Sequence, residues 1–336
     1  MKFRPWDTLL INIGDTSSTV LCLPADENSL ICNQKNHWIV EKGQGYLLEH
    51  AQPIRSFIEA PKNFKLIEFF KIFKKIKDHL PEKVIIFQAP FWIYLLVWMV
   101  GIKKRIGLLG PWYSFLFLNF GVRQNRAQAE FKEVIYNHML VKSGLLQAGA
   151  SRQLHKIHQE NNPSFLKLWH PDVQSVLEKF NLSDAPYFIV YPGSEISAPY
   201  WPTGYFSKLI EHLCESATVL IYEKGCQSEK LQKFKEHLSG HSNLIWLNRD
   251  LDPTDFLALL QGAQAIVGPH SDAIHLAASV GTSTLGLYGD DFYNSSTRWG
   301  PNGPKVKSIV SKKEKVKKGD TPQAVYQALE NIIEIM

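Results

Sequence analysis

The chain has 336 residues, 45% of them hydrophobic and 21% charged, a composition that supports two globular cores and excludes a disordered or fibrous chain. Its net charge of +5 is uneven: residues 1–150 carry 19 Lys and Arg against 12 Asp and Glu, and the remainder 18 against 20, so an anionic partner is expected on the first half. Four cysteines, none in a metal-ligand spacing, exclude a disulfide framework and point to a reducing cytoplasm.

The first apolar run, Leu9-Leu10-Ile11, is too short for a signal peptide, and no small-residue cleavage site follows it. Strands are predicted over Thr8–Ile13, Trp38–Glu41 and Lys83–Gln88, with a helix over Phe64–His79. The longest apolar run, Phe91–Ile102, has twelve residues, whereas a bilayer core of about 30 Å needs about 20 in a helix, so a buried helix is expected. A polar stretch over 151–186, with the turn cluster Asn161-Asn162-Pro163, then interrupts the pattern. Strands resume over Tyr187–Tyr191, Val219–Tyr222, Leu244–Trp246, Ala265–Val267 and Thr284–Tyr288, and helices over Phe206–Cys214, Ser228–Leu238 and Thr254–Gln261. Most of these strands are continuous apolar runs, as parallel strands covered on both faces require. The lysine-rich tract Lys305–Lys318 reads as a solvated loop. The expected fold class is α/β: two Rossmann-like, doubly wound domains facing across a cleft, over residues 1–160 and 161–336, with the last helix free to pack back on the first domain.

Four sites follow strand ends, where open α/β sheets bind ligands. In Ile13-Gly14-Asp15-Thr16, glycine permits a tight turn, and Asp15 is either a general base toward a hydroxyl or a helix N-cap. Pro192-Gly193-Ser194 forms a turn whose N–H and hydroxyl groups suit phosphate. Gly225 leads to Glu229 near a helix start, where a carboxylate bridges ribose hydroxyls or stabilises the helix end. The fourth site is the most informative. Gly268-Pro269 ends a strand, Ser271 is placed as an N-cap, and the small-residue helix that follows offers its orphan N–H groups to a diphosphate. His275 lies one turn further on, on the face of Ser271.

In this order the motifs resemble glycosyltransferase family 9, the ADP-heptose:lipopolysaccharide heptosyltransferases. The resemblance rests on Gly14-Asp15…Leu23-Pro24, Lys104-Arg105-Ile106-Gly107, Pro192-Gly193-Ser194…Trp201-Pro202, Gly268…His275-Leu276-Ala277-Ala278, Leu287-Tyr288-Gly289, Trp299-Gly300-Pro301 and Thr321-Pro322-Gln323. It implies a GT-B fold and an inverting transfer without metal or cofactor. The co-substrate is a nucleotide-diphosphate sugar, ADP-heptose in the family. Asp15 matches the position of the base, and Ser194, Glu229, Leu251, Ser271 and His275 match donor-site positions. The acceptor implied is anionic inner-core lipopolysaccharide, for which Arg105, Arg123 and Arg126 are the candidate partners, since guanidinium groups suit planar anions. The helix over 64–79, aromatic on one side and rich in lysine, is a candidate contact with the cytoplasmic face of the inner membrane. No nucleic acid is expected, because the basic residues lack an interleaved stacking platform. Two departures motivate an alternative, a family member that binds a glycan or partner without transfer. His270-Ser271-Asp272 stands where the family reads Asp-Thr-Gly, and Pro199 stands near the place of a family lysine.

Overall fold

The structure, a computed structural model, describes residues 6–146, 164–182, 186–193, 201–224, 229–248, 250–289, 295–311 and 322–335. The chain divides into two compact units, Met1–Leu166 and Lys167–Met336. The boundary expected at 160 lies outside the described residues.

The first unit runs β1 (Thr8–Asn12), α1 (Thr16–Cys22), β2 (Asn36–Glu41), α2 (Gly45–Glu49), β3 (Phe57–Ala60), α3 (Leu66–His79), β4 (Lys83–Gln88), α4 (Phe91–Val100), β5 (Lys104–Leu108), α5 (Ser114–Phe117), β6 (Phe120–Val122) and α6 (Glu133–Leu146). Its six strands are parallel, in the order β3-β2-β1-β4-β5-β6. Leu9, Ile11, Ile39, Val84 and Ile86 point to one face and bury the inner sides of α3 and α4 through Phe69, Ile72, Ile93 and Val97. Strands clothed on both faces need apolar residues on successive positions, which is why Leu9–Ile11 and Val84–Phe87 read as unbroken runs at the centres of β1 and β4.

The second unit runs α7 (Val173–Lys179), β7 (Tyr187–Val190), α8 (Thr203–Cys214), β8 (Thr218–Tyr222), α9 (Glu229–Leu238), β9 (Leu244–Leu247), α10 (Pro253–Gly262), β10 (Ala265–Pro269), α11 (Asp272–Val280), β11 (Ser283–Gly289), α12 (Ser296–Trp299), β12 (Val306–Ser311) and α13 (Pro322–Ile335). This parallel sheet has the order β12-β11-β10-β7-β8-β9. Helix α13 packs on β11, β12 and α8 of the same unit. Counted from each unit's first strand, both sheets have the doubly wound order 3-2-1-4-5-6, whose switch points lie between β1 and β4 and between β7 and β10.

The structure corrects three expectations. Strands β3, β5 and β6 were absent from the predicted set, because each is short and opens or breaks on a polar residue or a glycine. The tract Lys305–Lys318 is not all loop, since Val306–Ser311 forms edge strand β12, whose Lys307 is the kind of charge that guards a sheet edge. The apolar run from Phe91 forms a helix, but Phe91, Trp98 and Met99 are exposed on it rather than buried.

Candidate functional site

Asp15 follows β1 at the first switch point. Its backbone is extended, and its side chain caps α1: one carboxylate oxygen, Oδ1, accepts from the Ser18 N–H at 2.7 Å. The capping alternative raised by the sequence is therefore realised, and the residue remains exposed, with its second oxygen outside that bond. The turn that carries it is held from below. The Gln44 amide donates to Gly14 O at 2.7 Å, the Thr19 hydroxyl donates to Gln44 Oε1 at 2.5 Å, and the Asn12 amide donates to Thr19 Oγ1 at 2.9 Å. Gln88, at the end of β4, approaches so closely that a Cβ at Gly14 would stand 2.7 Å from its Oε1. The atoms met are side-chain ends, Gln88 Oε1 and Ser18 Oγ, so a larger residue there would displace side chains rather than backbone. Neither Gln44 nor Gln88 was singled out in the sequence, because an amide in a strand or loop carries no spacing signal.

The three candidate arginines separate. Arg123 follows β6, on the same strand-end edge as Asp15, and is exposed. Three strand spacings, about 14 Å, lie between their strands. Arg126 anchors this loop: it pairs with Glu133 and donates to Gln124 Oε1 at 2.8 Å and Asn137 Oδ1 at 3.0 Å. Arg105 lies at the opposite end of the sheet, near the start of β5. It donates to the carbonyls of Phe117 and Ile102, both at 2.6 Å, and burial lowers its pKa. The structure does not bring Arg105 to Asp15.

At that opposite end a second, unforeseen cluster forms. Arg55 pairs with Asp26 at 2.7 Å and Glu27 at 3.0 Å, and Trp38 Nε1 donates to Asp26 at 2.9 Å. Burial alone would depress the Arg55 pKa, but its bonds to Asp26 and Glu27 prevail and hold it raised. These residues line a pocket of about 540 Å³ with Trp6 and Lys35. Its charges satisfy one another, so the cluster reads as structural.

In the second unit the predicted residues gather along one edge of the sheet. Glu229 opens α9 after β8 and is exposed, Leu251 precedes α10 after β9 and is half-buried, and Ser271 opens α11 after β10. Ser194 lies outside the described residues. At the switch point β7 and β10 end in close contact: a Cβ at Gly268 would stand 2.7 Å from Tyr191 O, and Gly193 holds φ +92°, which favours glycine. Ser271 occupies the N-cap position of α11, yet its hydroxyl caps nothing. Its Oγ is sheltered from solvent and makes no hydrogen bond among the described residues. His275 is 1% exposed, with its ring edge-on to His270 at 5.2 Å between centroids. Lys224, just past β8, brings its Nζ to 4.0 Å from Asp272 Oδ2. This lysine went unremarked in the sequence, although it directly precedes the Gly225 turn. Among the described residues no three His, Cys, Asp or Glu side chains group as a metal would require.

A family model described as "Glycosyltransferase family 9 (heptosyltransferase)" matches residues 69–327. A segment of 117 residues is 29% identical to lipopolysaccharide heptosyltransferase 1 of Pseudomonas aeruginosa, a match that spans 34% of this chain and about a third, 32%, of that relative's length. The structure is similar to that of the E. coli ADP-heptose LPS heptosyltransferase II, with a TM-score of 0.74, 18% identity and coverage of 98% of this chain and 99% of that one. It is also similar to the E. coli heptosyltransferase WaaC with ADP, with a TM-score of 0.67, 17% identity and coverage of 97% and 99%. At these identities the likeness establishes the fold, a GT-B pair of Rossmann-like units.

Proposed function

Because the chain belongs to glycosyltransferase family 9, we propose that it transfers a heptose-like sugar from a nucleotide-diphosphate sugar to an anionic glycan of the lipopolysaccharide-core kind. One observation carries this reading. Each unit presents a helix N-terminus at its own switch point, one capped by a carboxylate and the other beside a serine hydroxyl that makes no hydrogen bond among the described residues.

In the proposed reaction Asp15 accepts the proton of the acceptor hydroxyl through the oxygen that does not cap α1. The acceptor oxygen bonds to the anomeric carbon as the bond from that carbon to the diphosphate oxygen breaks, and a single displacement inverts the centre. Charge developing on the departing nucleoside diphosphate is met by the N–H groups of α11, by Ser271 and by His275. This reading assigns the task to the helix end and to Lys224 rather than to a metal ion. Glu229 would bridge the ribose hydroxyls, and Leu251 and Ser194 would complete the donor site. Arg123 would meet the acceptor's anionic group, while Arg126 and Arg105 hold the segments beside it. The enzyme would act in the cytoplasm, where a glycolipid acceptor brings it to the inner face of the membrane.

The alternative, binding without transfer, was motivated by Asp272 beside a diphosphate site. Lys224, 4.0 Å from that carboxylate, offsets the repulsion, and no observation favours the alternative. The test is release of ADP from ADP-heptose in the presence of inner-core lipopolysaccharide, with ADP affinity measured in parallel by calorimetry. Asp15→Ala should cost at least about 100-fold in turnover and leave ADP affinity unchanged. Normal turnover by that variant would overturn the mechanism.

A further inference from the structure

Of sixteen large apolar side chains exposed among the described residues, eleven lie between Phe64 and Leu116. Single exposed apolar residues are ordinary, but a cluster is not. Helix α3 shows how the cluster is built. Phe69, Ile72 and Ile76 face the sheet. On the opposite side Ile67, Phe70, Lys71 and Lys74 recur at i, i+3, i+4 and i+7, and all four are exposed, Ile67 by 72% and Phe70 by 58%. A helix serving only as a sheet cover would place polar residues there.

The pattern continues onto α4 and α5, which share the α3 side of the sheet. Ring contacts run from Phe70 through Phe69 to Trp92, and on the adjacent Phe91 to Trp112, at centroid separations of 5.6, 6.3 and 5.9 Å. Trp98, Trp112 and Phe115 are exposed, Trp112 by 68%. Between Glu82 and Glu130 the chain has no carboxylate side chain, and Lys103 and Lys104 stand exposed a few residues after Trp98.

We infer that the outer face of α3, α4 and α5 is a docking surface for an anionic phospholipid bilayer. Aromatic rings interleaved with lysines are the chemistry of a membrane interface: rings enter the headgroup boundary and ammonium groups meet lipid phosphates. Charge selects this occupant over a second copy of the chain, which would set lysines against lysines. No described helix is long and apolar enough to cross a membrane, so the contact lies in the interface plane. The inference deepens the proposed action on a glycolipid acceptor by naming the surface that meets the lipid phase, and it rests on that reading while its deciding readout is vesicle binding.

The full chain is sedimented with vesicles of phosphatidylcholine alone or with about one third phosphatidylglycerol, an anionic surface that attracts lysines. It should pellet with the anionic vesicles and be released by high salt. The combined variant Ile67→Ser, Phe70→Ser, Trp112→Ser and Phe115→Ser should lose more than about tenfold in partitioning. It should keep its melting temperature and its activity on a water-soluble acceptor. Lys71→Glu with Lys74→Glu should weaken binding while leaving every apolar group in place. Failure of the wild-type chain to bind anionic vesicles, or wild-type binding by the four-residue variant, would overturn the inference. Dimers that dissociate in that variant, with no vesicle binding by the wild type, would assign the surface to a second copy instead. Loss of transfer to a soluble acceptor in the wild type would count against the proposed activity alone.

Discussion

The two switch points have the same topology and opposite chemistry. At the first, Asp15 places a carboxylate on the N-terminus of α1 and satisfies the Ser18 N–H from within the chain. At the second, Ser271 holds the same N-cap position on α11 without a capping bond from its hydroxyl, and the helix's first turn carries Asp272, whose carboxylate has Lys224 Nζ 4.0 Å away. A helix end closed by its own anion has little attraction for a phosphate. It does hold its carboxylate in one place, braced through Gln44 and Thr19. In the proposed reaction the first switch-point turn supplies a fixed base and the second an anion receptor, and the N-cap residue is the clearest difference between them.

The largest effect expected from this contrast is at Asp15. Asparagine caps a helix about as well as aspartate, so Asp15→Asn should fold with unchanged stability and lose about 10²–10⁴-fold in turnover. A fall in melting temperature together with near-normal turnover would reduce Asp15 to a cap and break the comparison. Ser271→Ala removes a hydroxyl that makes no hydrogen bond among the described residues, so stability should hold. Affinity for a nucleoside diphosphate should fall by about 10- to 100-fold, the value of a hydrogen bond to a charged group. Equal ADP titrations for variant and wild type would remove Ser271 from the donor site.

Acid should sharpen the contrast between the units themselves. Burial, with lesser contributions from Lys75 and His79, lowers the pKa of His37 in the first unit to about 3, and burial also lowers that of His138. A histidine kept neutral when folded binds its proton only on unfolding. For His37 the contribution to stability is complete above about pH 6.5 and is lost as pH falls toward 3, at up to about 1.4 kcal/mol per pH unit. Chemical denaturation across that window should show the first unit weakening, and His37→Phe should flatten the slope. A slope unchanged by His37→Phe would exclude the histidine. The smallest effect is at Lys224, whose ammonium is largely exposed and screened. Lys224→Ala should weaken ADP binding by only about two- to fivefold, less in high salt, as calorimetry would read.

Much of this was legible in the sequence, for identifiable reasons. Central strands announced themselves, because β1, β4, β8 and β10 are clothed on both faces and carry continuous apolar runs at their centres. Three of the four edge strands did not: β3 is broken by Glu59, β12 by Lys307-Ser308, and β6 has only three residues, whereas the apolar edge strand β9 was visible. The Gly14-Asp15 and Gly268…Ser271 turns were visible because glycine before a small polar N-cap marks a strand passing into a helix. What escaped depends on distances between segments remote in the sequence. Gln44 reaches Gly14 across thirty residues, Arg55 meets Asp26 across twenty-nine, and Lys224 approaches Asp272 from another strand end. No local spacing encodes those pairings. Exposure had to be seen as well, since an apolar run such as Phe91–Val100 reads as core until one side of it is found facing solvent.

Whether the α11 N-terminus seats the diphosphate is tested most directly by Ser271→Asp. That substitution would give the second unit the closed helix end of the first, adding about 0.5–2 kcal/mol of capping energy where the serine hydroxyl supplies none. Titration calorimetry with ADP should then show binding by the wild-type chain and none by a Ser271→Asp protein of equal or higher melting temperature. ADP binding of wild-type strength by that variant would place the nucleotide elsewhere and contradict the assignment of donor and acceptor chemistry to the two turns.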